Sequence, residues 1–241
     1  MRAMILAAGL GTRLGALGAA LPKILIDVAG TTLLARHVSY LEELGAERIV
    51  INVHHHADMI EQEVSQLQAS AEIICLREPA LLGTAGGVRN ALPLLGAETF
   101  LVLYGDVLFP DRLDPMIGRH AEQSAAATLA VHEAGSVLGK GVVEVDEDGR
   151  IVRFVEKQGD IEAPALINSG FYALEPAVVD RLVPGAFSDF GRDVFPALLA
   201  DGAPLHAYRL PRPVIDVGTP EGLAEARRLA DQAGAAPKEL M

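Results

Sequence analysis

The chain has 241 residues, half of them hydrophobic and 22% charged, which is enough to bury a sizeable core and far from the composition of disordered chains. Its formal net charge of -12 works against sequence-independent binding to nucleic acid or an anionic membrane, which relies on clustered Lys and Arg. Small phosphate ligands stay compatible with it, because a few local cations, backbone amides and a metal can dominate one cleft.

In chain order, Met4-Ile5-Leu6-Ala7-Ala8 reads as a buried parallel strand running into glycines. Thr32 precedes Leu33, Leu34, Val38 and Leu41 at helical spacing, with Gly45 as a left-handed stop. Strands are expected at 48–53 and 72–76, a helix at 57–67, a second helix at 84–92, and a central strand at 100–104 that ends at Gly105-Asp106. This alternation predicts an α/β fold of Rossmann-like type, a mixed, mostly parallel sheet flanked by helices with right-handed crossovers. Further on, strands are expected near 125–131, 142–145, 151–155 and 170–174, and helices near 176–182, 190–199 and 221–233. The single cysteine, Cys75, lies in the apolar run Ile73-Ile74-Cys75-Leu76; it excludes an intrachain disulfide framework, fits a reducing compartment and reads as a strand residue rather than a nucleophile. With no leader-like segment and no apolar run of spanning length, a cytoplasmic location is the expectation.

The most informative segment is Leu6-Ala7-Ala8-Gly9-Leu10-Gly11-Thr12-Arg13-Leu14, with Pro22-Lys23 placing a lysine ten residues after the arginine. A strand entering glycines lets backbone N–H groups approach a polyphosphate, and Arg13 and Lys23 add the cations that a triphosphate requires. A dinucleotide-binding turn fits less well: its third glycine is misplaced, and the strand ending Val53-His54-His55 offers no acid for a ribose. Asp106 stands at the carboxyl edge of a central strand, where open sheets bind ligands. Asp216, inside Val214-Ile215-Asp216-Val217-Gly218-Thr219-Pro220, is an acid in an apolar run that needs a charge partner or a metal. Two carboxylates suit Mg²⁺. The small residues of Arg77-Glu78-Pro79-Ala80-Leu81-Leu82-Gly83-Thr84-Ala85-Gly86-Gly87 let a planar base lie against backbone, although a loop capping a helix would look the same. His54, His55 and His56 point to alternating faces and read as loop residues. Asp189, Arg192 and Asp193 read as a solvated or interface face.

Together these segments resemble the sugar-1-phosphate nucleotidyltransferase family, whose opening is a strand, L-A-A-G-x-G-T-R-[LM] and then P-K; Ile24 stands where the family usually has proline. The Glu78 segment is similar to the E-P-x-L-L-G-T-A-G-G form of mannose-1-phosphate guanylyltransferases. The resemblance spans residues 3–233 and leaves no room for the β-helix that many relatives append. It implies one domain over 1–241, with a nucleotide-binding half to about residue 110 and a sugar-phosphate-binding half beyond. It implies that Leu6, Ala8, Gly9, Gly11, Thr12, Arg13, Glu78, Gly83, Thr84 and Gly86 bind nucleotide. Glu156, Lys157, Asn168 and Gly170 then bind the sugar phosphate, Asp106 and Asp216 hold Mg²⁺, and Arg13, Lys23, Asp106 and Lys157 act in catalysis.

The implied reaction is Mg²⁺-dependent transfer of a nucleotidyl group from a nucleoside triphosphate to a sugar 1-phosphate, releasing pyrophosphate by in-line attack without a covalent enzyme intermediate. GTP with mannose 1-phosphate or a related sugar is the first reading. Uridylyl or thymidylyl transfer to a hexose or amino-sugar 1-phosphate is the second, and a noncatalytic regulatory homologue the third. The two substrates are the expected partners, with neither nucleic acid nor membrane, and a homodimer is one reading of the oligomeric state.

Overall fold

The computed structural model describes residues 1–137, 139–156 and 164–232. The chain forms two compact units, each assembled from separate stretches: unit one takes Met1–Leu81, Leu103–Asp111 and the chain from Val214 onward, and unit two takes Leu82–Val102 and Arg112–Pro213.

Unit one opens with β1 (Arg2–Leu6), whose Ala3, Met4 and Ile5 are fully buried. A 3-10 turn at Thr12–Leu14, helix α1 (Ala16–Ala20), a second 3-10 turn at Lys23–Leu25 and a small hairpin of β2 (Asp27–Val28) and β3 (Thr31–Thr32) follow. Next come α2 (Leu33–Glu43), β4 (Arg48–Val53), α3 (Ala57–Gln66) and β5 (Glu72–Arg77). β1 pairs with β4 and β4 with β5, both in parallel, with Leu6 opposite Asn52 and Val53 opposite Arg77. Apart from Asn52, the buried stretch of β4 from Ile49 to Val53 is apolar, as an inner parallel strand buried on both faces needs. Thr32 caps α2 as expected, its Oγ1 accepting from Ala35 N–H at 3.2 Å. Past the helix end Gly45 has φ 86°, a conformation open to a residue without a Cβ.

Unit two begins with α4 (Gly83–Leu95) and most of β6 (Phe100–Tyr104), whose last two residues belong to unit one together with β7 (Val107–Leu108). The chain then builds α5 (Asp114–Glu122), β8 (Ala127–Ala134), β9 (Gly141–Val145), β10 (Ile151–Glu156), β11 (Ala165–Leu174) and α6 (Ala177–Asp180). A π-helical turn at Phe190–Val194 runs into α7 (Phe195–Ala200), and β12 (Leu205–Arg209) closes the unit. β8 pairs antiparallel with β11 and parallel with β12, while β9 pairs antiparallel with β10 and β11. Phe154, Tyr172, Phe190 and Phe195 pack with neighbouring ring centroids 5.3 Å apart. The chain returns to unit one with β13 (Ile215–Asp216), antiparallel to β7, and α8 (Pro220–Gln232).

The architecture is the expected one, a mixed sheet flanked by helices. Several local expectations change. β11 starts at Ala165 rather than near 170, because its register against β8 shifts between Asn168 and Tyr172; this bulge breaks the period-2 pattern that marks a strand. The helix expected near 176–182 is reduced to Ala177–Asp180, and the one expected from 190 enters through the π turn. Cys75 lies on β5 but is only half-buried; burial pushes its thiol up to about 11, consistent with an inert residue.

The Thr32 hydroxyl also donates to Glu63 Oε1 at 3.1 Å, so it satisfies one α2 amide and ties that helix to α3. Thr32→Ala is expected to lower stability by about 1 kcal/mol and Thr32→Ser by clearly less, as measured by urea unfolding. Equal loss in the two variants would assign the effect to the methyl group instead.

Candidate active site

The carboxyl ends of β1 and β6 and the β13–α8 junction bring four charged side chains of unit one together. Lys23 Nζ lies 2.6 Å from Asp106 Oδ2, Arg13 Nη1 2.8 Å from Asp216 Oδ2, and Arg13 Nη2 3.7 Å from Asp106 Oδ2. Lys23 and Asp106 are largely buried and Arg13 is 56% exposed, so the lysine is fixed by the fold while the arginine faces outward. An atom standing where residue 218 would carry a Cβ would lie 2.7 Å from Lys23 Nζ, 2.8 Å from Asp106 Oδ2 and 2.8 Å from Asp216 Oδ1. Only glycine leaves that meeting point open.

The backbone explains why these residues converge. Gly105 N–H donates to Leu6 O at 3.0 Å, and Val217 N–H donates to Asp106 O at 2.8 Å, so the Gly105-Asp106 turn is held between β1 and β13. Asp216 Oδ1 accepts from Gly218 N–H at 2.9 Å, an Asx turn that aims the carboxylate. Thr219 then caps α8, its Oγ1 accepting from Gly222 N–H at 3.1 Å, and Pro220 supplies the first helical residue. The segment Asp216-Val217-Gly218-Thr219-Pro220 is therefore a carboxylate placed immediately before a helix start. In the first loop, Gly11 takes φ 69°, and a Cβ at Gly18 would collide with Gly11 O, so α1 packs directly on the glycine backbone.

Two supporting residues escape a reading of the sequence. Asn52, 2% exposed on β4, accepts from Ala7 N–H at 2.8 Å and donates to Glu78 Oε1 at 2.7 Å. It clasps the start of the glycine loop after β1 to the end of β5, and Glu78, 4% exposed, is committed to that clasp. A polar residue inside the run 49–53 was the available signal, the same one that marked Asp216. His37, fully buried on α2, places Nε2 3.3 Å from Gly105 O, bracing the backbone that presents Asp106. Its spacing from Leu33, Leu34 and Leu41 puts it on the buried stripe of that helix.

Unit two carries the other expected residues. Glu156 pairs with Gly141 across β10 and β9, and β11 pairs Ile167 with Val142; continuing that register sets Asn168 at the level of Gly141, so Glu156 and Asn168 flank one row of the sheet. The bulge after Asn168 lets Asn168 Oδ1 accept from Gly170 N–H at 3.1 Å and its Nδ2 donate to Tyr172 Oη at 2.6 Å. Gly83, Thr84 and Gly86 form the first turn of α4, where Ala85 and Gly86 N–H both donate to Ser188 O at 3.0 Å. Thr84 Oγ1 donates to Asp189 Oδ2 at 2.9 Å. Asp189 is thus turned inward, which corrects its reading as part of a solvated face. Arg192 and Asp193 do lie at the surface and pair with each other at 2.9 Å. Lys157 lies outside the described residues.

As a donor set, two carboxylates facing one point suit a hard divalent cation such as Mg²⁺, which fills its other positions with phosphate oxygens and water. Among the described residues no cluster of three or more His, Cys, Asp or Glu could cage a metal, so a cation here would share its coordination with a ligand. Among the same residues no helix is long and apolar enough to cross a membrane.

A family model described as Nucleotidyl transferase matches residues 2–233. The chain is 34% identical over 221 residues to mannose-1-phosphate guanylyltransferase of Mycobacterium tuberculosis, covering 91% of this chain and 61% of the relative. It is 33% identical over 233 residues to UTP--glucose-1-phosphate uridylyltransferase of Synechocystis sp., covering 90% and 60%. The chain thus spans about three fifths of the length of the curated relatives it matches. Among solved structures it is similar to HddC from Yersinia pseudotuberculosis complexed with GMP-PN, at TM-score 0.79 and 27% identity over 95% of this chain and 98% of that one. The fold is shared with a putative glucose-1-phosphate thymidylyltransferase from Bacillus anthracis, at TM-score 0.82 and 21% identity over 95% of each chain.

The brace behind Asp106 makes stability depend on pH. Burial pushes the His37 pKa from 6.5 down to about 4, against the opposing pull of the Gly105 carbonyl and Asp106, and burial also lowers His132 to about 4. The unfolded chain therefore binds protons near pH 6.5 that the folded chain takes up only near 4. Their contribution is complete above pH 6.5 and is lost as pH falls toward 4. Burial lowers His206 as well, so His37→Gln, which keeps a donor for Gly105, should make that fall shallower without abolishing it; chemical unfolding at several pH values in this window checks it, and an unchanged slope would exonerate His37.

Proposed function

The chain belongs to the nucleotidyl transferase family, and on that premise we propose that it transfers a nucleotidyl group from a nucleoside triphosphate to a sugar 1-phosphate and releases pyrophosphate. The observation that carries this reading is the convergence of Lys23, Asp106 and Asp216 on the point kept open by Gly218, with Arg13 paired to Asp216 at its rim. One lysine fixed by the fold, one arginine at the rim and two carboxylates at one spot suit a metal-bound triphosphate.

Asp106 and Asp216 would hold Mg²⁺, which when bound neutralises charge on the phosphate oxygens. Lys23, held at 2.6 Å from Asp106, would contact the α-phosphate, and exposed Arg13 would hold the departing pyrophosphate. The glycine loop at residues 8–12 presents backbone to the polyphosphate. In unit two, residues 83–87 take the base, and Glu156 and Asn168 take the sugar hydroxyls. Lys157 is assigned the acceptor phosphate by family resemblance. A phosphate monoester is already anionic, so its oxygen attacks the α-phosphorus without a general base, the P–O bond to pyrophosphate breaks in line, and rate comes from alignment and charge neutralisation.

GTP with mannose 1-phosphate or a related sugar is the preferred pair, supported by the Glu78-to-Gly87 motif and by the guanylyltransferase relative. UTP with glucose 1-phosphate is the second reading, supported by a uridylyltransferase at nearly equal identity. Pyrophosphate release with Mg²⁺, assayed for each of five nucleotides against mannose, glucose, amino-sugar and heptose 1-phosphates, should require both substrates and single out one pair. Gly218→Ala should cut turnover roughly 100-fold or more with the fold retained, because its methyl group would crowd Lys23 and both acids. Near-normal turnover in that variant would remove the proposed site.

A further inference from the structure

Asp189 has no part in the reaction as proposed, yet it bonds both the base-reading segment of unit two and the π turn that backs Glu156. We infer that Asp189 is a positioning residue that couples the base-reading segment to the sugar-reading one; this rests on the proposed function for the identity of the two substrates, though not for the link itself.

The link is a chain of short contacts. Asp189 Oδ2 accepts from Thr84 Oγ1 at 2.9 Å, and Thr84 Oγ1 in turn accepts from Phe190 N–H at 2.9 Å. Asp189 Oδ1 accepts from Gly191 N–H at 3.0 Å and Arg192 N–H at 3.2 Å. One carboxylate therefore fastens the first turn of α4 with one oxygen and the start of the π turn with the other. The backbone repeats the clamp: Ala85 and Gly86 N–H donate to Ser188 O, and Ser188 N–H donates to Leu82 O at 2.9 Å. The approach is close enough that a Cβ at Gly86 would lie 2.5 Å from Ala186 O.

On the other side, the π turn bears on the sugar-reading carboxylate. A Cβ at Gly191 would collide with Glu156 Oε2 and lie 3.0 Å from Phe154 Cε1, and a Cβ at Gly141 would lie 2.9 Å from the same Glu156 oxygen. Glu156 is thus held between two bare backbone surfaces, one of which is set by Asp189. Residues 84, 189, 191 and 156 form a continuous path in which every step is a hydrogen bond or a van der Waals contact. π-Helical turns of this kind concentrate at functional sites, and here the Gly191 N–H meets Asp189 while its Cα backs Glu156. Because the α4 amides of residues 85 and 86 are already spent on Ser188, the base-reading surface cannot shift without moving the turn that backs Glu156.

The test compares Asp189→Ala, Asp189→Asn and Thr84→Val with the wild type in steady-state kinetics and in backbone hydrogen exchange. Asp189→Ala should raise KM for both the nucleoside triphosphate and the sugar 1-phosphate by about fivefold, the effect of one lost hydrogen bond, with a smaller change in kcat. Asp189→Asn, which keeps an acceptor toward Gly191, should hold both KM values within about twofold. Thr84→Val removes a hydroxyl from the base-reading segment, and should nevertheless raise KM for the sugar 1-phosphate and speed exchange at amides 190–192. Two results would overturn the coupling: an unchanged sugar KM in both Asp189→Ala and Thr84→Val despite lowered Tm, which would leave Asp189 a helix cap only, or unchanged exchange at 190–192 in Thr84→Val. If the wild type turns over no nucleotide and sugar pair, the proposed function fails, and the exchange result alone decides for or against the link.

Discussion

The pairing of Lys23 with Asp106, 2.6 Å apart and mostly out of solvent, is the constraint on which the candidate site depends. A carboxylate and an ammonium group removed from water each carry a large desolvation cost, and either one left alone would be strongly destabilising. The fold meets that cost by holding both from several directions. The Gly105-Asp106 turn is hydrogen-bonded to β1 on one side and to Val217 on the other, with His37 behind it. Asp216 arrives on a two-residue strand that pairs with β7 and is fixed by its own Asx turn. The four charges meet because three stretches of chain far apart in sequence are tied by backbone hydrogen bonds.

In the proposed reaction unit two has a different task. Reading a base and a sugar asks for neutral hydrogen-bonding surfaces at close range, which favours bare backbone over side chains. Glycines at 86, 141 and 191 admit the neighbouring chain or the Glu156 carboxylate at distances that any Cβ would forbid. A single half-buried carboxylate, Asp189, then sets how these surfaces stand to one another.

Much of this was legible in the residues. Arg13, Lys23, Asp106 and Asp216 announce themselves by chemistry, since charges at a strand end or inside an apolar run need partners, and the structure unites them. The parallel core of unit one follows from the apolar runs at 3–6 and 49–53. What stayed hidden depends on three-dimensional neighbours. Gly218 looks like any turn glycine until Lys23, Asp106 and Asp216 surround it. His37 is one position on an amphipathic helix, distinguished only by the carbonyl it meets. Asp189 sits beside Arg192 and Asp193, whose surface ion pair is visible in the sequence as a charged patch and masked the inward turn of their neighbour. Strand β11 was shortened in the reading because its bulge places Asn168-Ser169-Gly170 where alternation was expected.

The most direct measurement of the central claim is ³¹P relaxation of a non-hydrolysable nucleoside triphosphate bound to the protein in the presence of Mn²⁺, in the wild type and in Asp216→Asn. If Asp106 and Asp216 hold a divalent cation against the polyphosphate, the wild type will show strong paramagnetic relaxation at the α-phosphorus, and Asp216→Asn will lose most of it while still folding. Nucleotide that binds with no such relaxation in the wild type, or relaxation that survives unchanged in Asp216→Asn, would contradict the assignment of these two acids.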